Sequence, residues 1–215
     1  MKKPKSIEWD PEDYDAWYKD EKGKLIDLIE TDCLLSLLFP VNGSRILDVG
    51  CGTGNFALKL RNLGYDVICL EPDEKMRRKA LEKGLNCVKG FAESIPFEDK
   101  TFDAAISVAA VEFFTDVEKA INEMLRVVKT GGKVVIGFIT GPWARYYEEL
   151  GKKGHPIFSF AKFPDIKTFI SHPSFKQIKF CLKTPPGQQV SWERERMGGS
   201  PGFACLEFVK RSMIE

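Results

Sequence analysis

The sequence predicts an α/β fold in which a mainly parallel sheet carries helices on both faces. From residue 45 onward, short apolar runs alternate with amphipathic stretches. The helical stretches open on acidic or polar residues and stop at glycines. The first apolar run closes on an aspartate and then three glycines at alternate positions, "ILDVGCGTGNF" at 46–56.

The elements follow in order. "RILDV" (45–49) is a buried strand and "NFALKLRNLG" (55–64) a helix stopped by Gly64. "DVICL" (66–70), "LNCVKG" (85–90), "FDAAISV" (102–108) and "KVVIGFI" (133–139) are the next four strands. Helices at 73–84 and 116–129 connect them. Two polar helices follow, at about 142–153 and 163–171. "FKQIKFCLK" (175–183) and "GFACLEFVK" (202–210) read as strands joined by a long loop with no helical crossover, so they pair antiparallel. That makes seven strands, the last antiparallel to the rest. Residues 1–40 read as an N-terminal helical cap, with one helix from Lys24 to before Pro40, and 41–215 as the main unit. Tyr14, Trp17 and Tyr18 are either core anchors or an aromatic lid over the strand ends.

Composition narrows the function. A chain of 215 residues, 43% hydrophobic and 29% charged, can bury a sizeable core. Its net charge of +1 gives no electrostatic reason to expect nucleic acid or a membrane surface as partner. No apolar run approaches the ~18 residues that span a bilayer, and the N-terminus has no signal-peptide core, so a cytoplasmic protein is expected. The six cysteines contain no CxxC or Cys/His cluster, which indicates no metal and six reduced thiols. Cys33, Cys51, Cys69 and Cys87 recur every 18 residues without a matching sequence repeat, a spacing read as coincidence.

The glycine turn first suggests a dinucleotide site, but Asn55 stands where GxGxxG requires its third glycine. Asp48, two residues before Gly50, also points a negative charge at the ligand. Like charges about 4 Å apart cost roughly 1–4 kcal/mol at effective dielectrics of 80 to 20, so a pyrophosphate is disfavoured. A cationic nucleoside ligand such as S-adenosylmethionine fits. Glu71 ends the second strand 21 residues after Gly50, where a carboxylate can accept from both ribose hydroxyls. Gly50, Gly52 and Gly54 would let the main chain approach the methionine part.

"ILDVGCGTGNF" resembles motif I of the class I S-adenosylmethionine-dependent methyltransferases. The resemblance runs on through "VICLEPDEKM", "VKGFAESIPFEDKTFDAAISVAAVEFFTD" and "EMLRVVKTGGKVVIG". It implies a Rossmann-like seven-stranded sheet of order 3-2-1-4-5-7-6. It also implies cofactor contacts from Asp48, Gly50, Cys51, Gly52, Gly54, Glu71 and Pro72, with Tyr18 of the cap. Members often carry an Asp after strand 3 for the adenine amino group, where this chain has Phe91. Adenine would then be held by the Ala92 backbone, by Phe91 packing and by Glu93, although Glu93 equally reads as a plain helix-start acid. Val108 and Ala109 would offer carbonyls to the ligand ammonium.

Methyl transfer from a sulfonium needs nucleophile and methyl held in line, and a base only if the nucleophile is protonated. Glu112 is the candidate to bind or deprotonate an amine; a solvent-facing helix-start glutamate is the simpler alternative. His155 and His172 read as surface histidines. Substrate recognition falls to the segments 9–20, 112–115, 141–163 and 184–201, rich in aromatics such as Tyr14, Trp17, Phe113, Trp143 and Trp192. They suit a small-molecule substrate, with the chain as monomer or homodimer. The alternatives are a binding module without turnover, a protein substrate, or a metalloid substrate that would need thiols converging above the strand ends.

Overall fold

The computed structural model describes residues 10–38, 43–155, 157–181 and 202–210. Seven strands form one sheet in the order β3-β2-β1-β4-β5-β7-β6. They are β1 Arg45–Val49, β2 Asp66–Glu71, β3 Asn86–Lys89, β4 Phe102–Val108, β5 Val128–Ile139, β6 Phe175–Cys181 and β7 Phe203–Val209. β1 to β5 pair in parallel, whereas β7 runs antiparallel to both β5 and β6.

Strand alternation sorts the apolar side chains onto two faces. Ile46, Cys69, Ala104, Ile106 and Val135 point to one core. Leu47, Ile68, Leu70, Ala105, Val134 and Ile136 point to the other. Because both faces are buried, the strands are continuous apolar runs rather than alternating ones. The first core is covered by α2 Glu21–Leu38, α3 Asn55–Asn62 and α4 Glu74–Glu82, the second by α5 Val117–Val127 and α7 Ile166–Ile170. α6 Gly141–Lys152 adds Trp143 to the first.

Several boundaries differ from the expected ones. β5 begins at Val128, five residues early, because α5 stops at Val127 and the chain turns through Gly131 at φ +80°. α2 begins at Glu21 rather than Lys24. Tyr14 and Trp17 lie on an unforeseen helix, α1 Pro11–Trp17. Its start is built from Asp10, whose carboxylate accepts from the Glu12 and Asp13 amides, with proline in the first turn. The loop at 184–201 and Trp192 lie outside the described residues.

The thiols also differ from expectation. Cys33 on α2 and Cys181 at the end of β6 form a disulfide, with Cα atoms 6.4 Å apart. Residues 148 positions apart in sequence meet because α2 packs across β6 and β7. Cys51, Cys69, Cys87 and Cys205 are buried thiols.

Candidate active site

The strand order reverses between β1 and β4, which opens a crevice beyond their carboxyl ends. The turn after β1 and the turn after β4 meet there. Gly50 sits at φ +73°, and a Cβ on it would lie 2.7 Å from the Ala110 Cβ. A side chain at Gly50 would force these two loops apart. Gly54 has a packing reason to be glycine as well. Its Cβ would fall 2.1 Å from Leu85 Cδ1, so this glycine lets α3 start against the chain entering β3.

Asp48 is 2% exposed, and its Oδ2 has no hydrogen-bond partner among the described residues. Burial pushes its carboxyl up to about 8. Glu71, 7% exposed, accepts from the Gly52 amide at 2.8 Å and the Asp73 amide at 2.9 Å. It therefore ties the glycine turn to the start of α4, across the half-buried bend at Pro72. Burial raises its carboxyl to about 7, against the lowering effect of those two amides.

Helix α1 is pinned over this turn by Asp15. The Asp15 carboxylate accepts from Thr53 Oγ1 at 2.5 Å and from Asn55 Nδ2 at 3.3 Å, and pairs with Lys83 at 2.8 Å. Tyr14 thereby lies 3.7 Å from the position a Gly52 Cβ would take. Asp15→Ala should weaken S-adenosylhomocysteine binding several-fold and speed proteolysis within residues 1–20. Unchanged affinity in calorimetry would separate α1 from the cofactor site.

A cavity of about 510 Å³ has Tyr14, the neighbour of Gly52, on its wall, whereas Asp48, the glycine turn and Glu71 do not line it. Its walls include Tyr14, Trp17, Tyr18, Ala109, Glu112, Phe113 and Trp143. The walls also bring in Glu30, Tyr146, Tyr147, His155 and Phe158. Tyr14 and Tyr18 share a hydroxyl contact of 3.1 Å. Tyr147 packs on Phe158 with ring centres 4.2 Å apart.

Glu112 does not face solvent. It is 1% exposed on the short 3-10 turn Val111–Phe113, where Oε1 accepts from the Ile139 amide at 2.7 Å. Oε2 has no partner among the described residues, and burial raises the carboxyl to about 7. Glu30 on α2 is a second buried acid, raised to about 8 by burial and then by the nearby charges of Asp27 and Glu112. Sequence reasoning passed over Glu30, because Asp27 and Asp32 flank it on α2 and nothing in the residue pattern sets it apart from them.

Other positions depart from expectation. His155 is a cavity wall residue, with Nδ1 accepting from the Ile157 amide at 3.3 Å, rather than a solvated histidine. His172 lies away from the cavity, with Nδ1 accepting from the Ser174 amide. Phe91 is 62% exposed. One Glu93 oxygen accepts from the Thr115 amide at 2.7 Å and from the Thr115 hydroxyl at 2.9 Å, steadying the approach to α5. Ala92 and Val108 are buried beside these turns. Ala109 adopts a left-handed φ of +49°, uncommon for a side-chain-bearing residue, and redirects the chain as it leaves β4.

A doubly wound sheet of this order, with a glycine turn and an acid ending β2 at its switch point, defines a nucleoside-binding enzyme fold. Comparison with known proteins narrows the class. Residues 47–136 match the family described as "Methyltransferase domain". An uncharacterised protein of Mycobacterium tuberculosis is 29% identical over 209 residues, 93% of this chain and 72% of the other. A demethylmenaquinone methyltransferase of Clavibacter sepedonicus is 30% identical over 178 residues, covering 78% of this chain and 69% of that one. A crystal structure from Thermotoga maritima, described as a SAM-dependent methyltransferase and "possible histamine N-methyltransferase", superposes with a TM-score of 0.76. It shares 25% identity over 93% of this chain and 95% of that one.

The chain belongs to the class I S-adenosylmethionine-dependent methyltransferases, and its cofactor is S-adenosylmethionine. The residues present suit that cofactor. Asp48 offers a buried oxygen without a partner to a cationic ligand, and Glu71 retains acceptor capacity beyond its two amide bonds. No helix among the described residues is long and apolar enough to cross a membrane.

Proposed function

We propose that this enzyme methylates a small amine that bears an aromatic or apolar body. The observation that supports this most directly is the pair of buried acids, Glu30 and Glu112, on the wall of an otherwise largely aromatic cavity. An acid at such a site is costly unless a cation arrives to pair with it. A protonated amine supplies that cation, and Tyr14, Trp17, Tyr18 and Trp143 supply faces for cation–π contact, about 0.5–2 kcal/mol each. The Thermotoga relative's description as a possible histamine N-methyltransferase points the same way.

Bound S-adenosylmethionine would supply a sulfonium methyl for a nitrogen lone pair to attack, the carbon–sulfur bond breaking and S-adenosylhomocysteine leaving. The amine must first lose a proton. Glu112, raised to about 7, is matched to accept it near neutral pH, and its Oε2 has no other partner among the described residues. The Ile139 amide holds Oε1 and thereby orients the acceptor oxygen. The aromatic walls exclude water and align the amine. On this reading Asp48, Gly50, Cys51, Gly52, Gly54, Glu71 and Pro72 hold the cofactor, with Phe91, Ala92, Glu93, Val108 and Ala109 at its adenine and ammonium ends and Tyr18 closing over it.

A panel of amines, phenols, thiols and carboxylates tested for transfer of labelled methyl decides the acceptor. Histamine and aromatic amines are the expected positives. Transfer to carboxylates or phenols with none to amines would overturn the proposal. With an amine in hand, Glu112→Gln should lower turnover at least tenfold while S-adenosylhomocysteine affinity changes less than twofold, since the amide retains the Ile139 contact. Full activity in Glu112→Gln would remove the residue from the mechanism.

A further inference from the structure

The 18-residue cysteine spacing is not coincidence for three of its members. β2 and β3 pair in parallel with Cys69 opposite Cys87, so the interval is one strand–helix repeat. Cys51 lies beyond β1, but the Gly50 and Cys51 amides both donate to the Leu70 carbonyl, at 2.8 and 3.2 Å, and bend the turn back over β2. The three sulfurs end within 4.8 Å of one another. Cys51 Sγ is 3.7 Å from Cys87 Sγ. Cys69 is fully buried, and Cys51, at 9% exposure, is the most open of the three.

A single buried thiol behaves as a small hydrophobe and indicates nothing. Three converging sulfurs are different. An ion bound by three sulfurs at about 2.3 Å in one plane needs those sulfurs about 4 Å apart. No fourth His, Cys, Asp or Glu joins the group among the described residues, which disfavours the four-coordinate geometry zinc adopts in structural sites. Soft sulfur donors at low coordination suit monovalent copper.

We propose that Cys51, Cys69 and Cys87 form a buried three-sulfur site for a soft, low-coordinate cation, best matched by copper(I). Each thiol that becomes a ligand releases its proton to solvent, and no electrons are transferred. Arg77, whose guanidinium donates to the Cys87 carbonyl at 3.3 Å, offsets part of the remaining negative charge. None of the three thiols lines the aromatic cavity, so the ion lies outside the proposed amine site. It would instead brace the glycine turn from below through Cys51.

The full chain, kept anaerobic with ascorbate, is titrated against copper(I) held by a bicinchoninate chelator. One copper(I) per chain should be withdrawn, with X-ray absorption showing three sulfur neighbours. Cys51→Ser and Cys87→Ser should each weaken the competition at least tenfold, whereas Cys205→Ser and Cys33→Ser should not. Failure of the wild type to withdraw copper, or equal withdrawal by both cluster variants, overturns the site. If the variants fail to fold by circular dichroism, the wild-type spectrum decides alone: nitrogen or oxygen ligation, or fewer than three sulfurs, rejects the proposal.

Discussion

Glu71→Ala is expected to lower the affinity for S-adenosylhomocysteine at least tenfold with the fold intact. The Glu71 carboxylate has about four lone-pair sites, of which the Gly52 and Asp73 amides occupy two. The remaining acceptors suit a pair of ribose hydroxyls. Hydrogen bonds to a charged group contribute roughly 1.5–3 kcal/mol each, and 1.4 kcal/mol is about tenfold in affinity. Alanine also releases the Gly52 amide and so loosens the glycine turn. Because the carboxyl titrates at about 7, protonation should cost an acceptor and weaken binding as pH falls through 7. Glu71→Gln, which cannot ionise, should lose that dependence. Calorimetric titration from pH 6 to pH 8 measures both effects. An unchanged dissociation constant in Glu71→Ala would make Glu71 a structural clamp alone.

The second large effect is on stability. Asp48 and Glu30 are raised to about 8, and Glu71 and Glu112 to about 7, in every case chiefly by burial. Unfolding returns them to ordinary carboxyl values of 3.8 and 4.5. Between about pH 4.5 and 8 these four acids therefore bind more protons in the native chain than in the unfolded one, and their contribution to stability rises as pH falls across that window. A displacement of one pH unit in one such group is worth about 1.4 kcal/mol, or about 3–6 °C of melting temperature at this chain length. Without ligand, the protein should melt several degrees higher at pH 5.5 than at pH 8. Glu30→Gln and Glu112→Gln should flatten the slope. A melting temperature that is flat, or that rises with pH, would mean that these acids are solvated.

The sheet was legible because its determinants are local. Continuous apolar runs bounded by glycine and acidic residues mark strands buried on both faces, and a missing crossover between residues 183 and 202 is enough to make β7 antiparallel. The glycine turn with Asp48 and Glu71 was legible for the same reason, since its chemistry is contiguous. What escaped depends on pairing at a distance. Glu30 is one of several acids on α2, and only the packing of that helix carries it to the cavity that Glu112 also lines. Cys33 and Cys181 carry no mark of each other, and the 18-residue interval of Cys51, Cys69 and Cys87 acquires meaning only from the strand register that brings them together. Gly54 reads like a ligand-approach glycine, yet the atom it makes room for, Leu85 Cδ1, belongs to a residue 31 positions later in the chain. Helix α1 was the avoidable miss, for Asp10 followed by Pro11 is a start signal written within four residues.

The strand order has a consequence for a chain made from its N-terminus. Among the described residues β6 pairs with β7 and with no other strand, and β7 alone joins β6 to β5. Until residues 203–209 emerge from the ribosome, β5 is an open edge and β6 has no ladder at all. The last strand of the sheet is thus its keystone, and every nascent chain passes through an interval with two unpaired edges that another chain could seize. The Cys33–Cys181 bond lies on just this border and ties β6 to α2, so that β6 has one covalent anchor besides its ladder to β7.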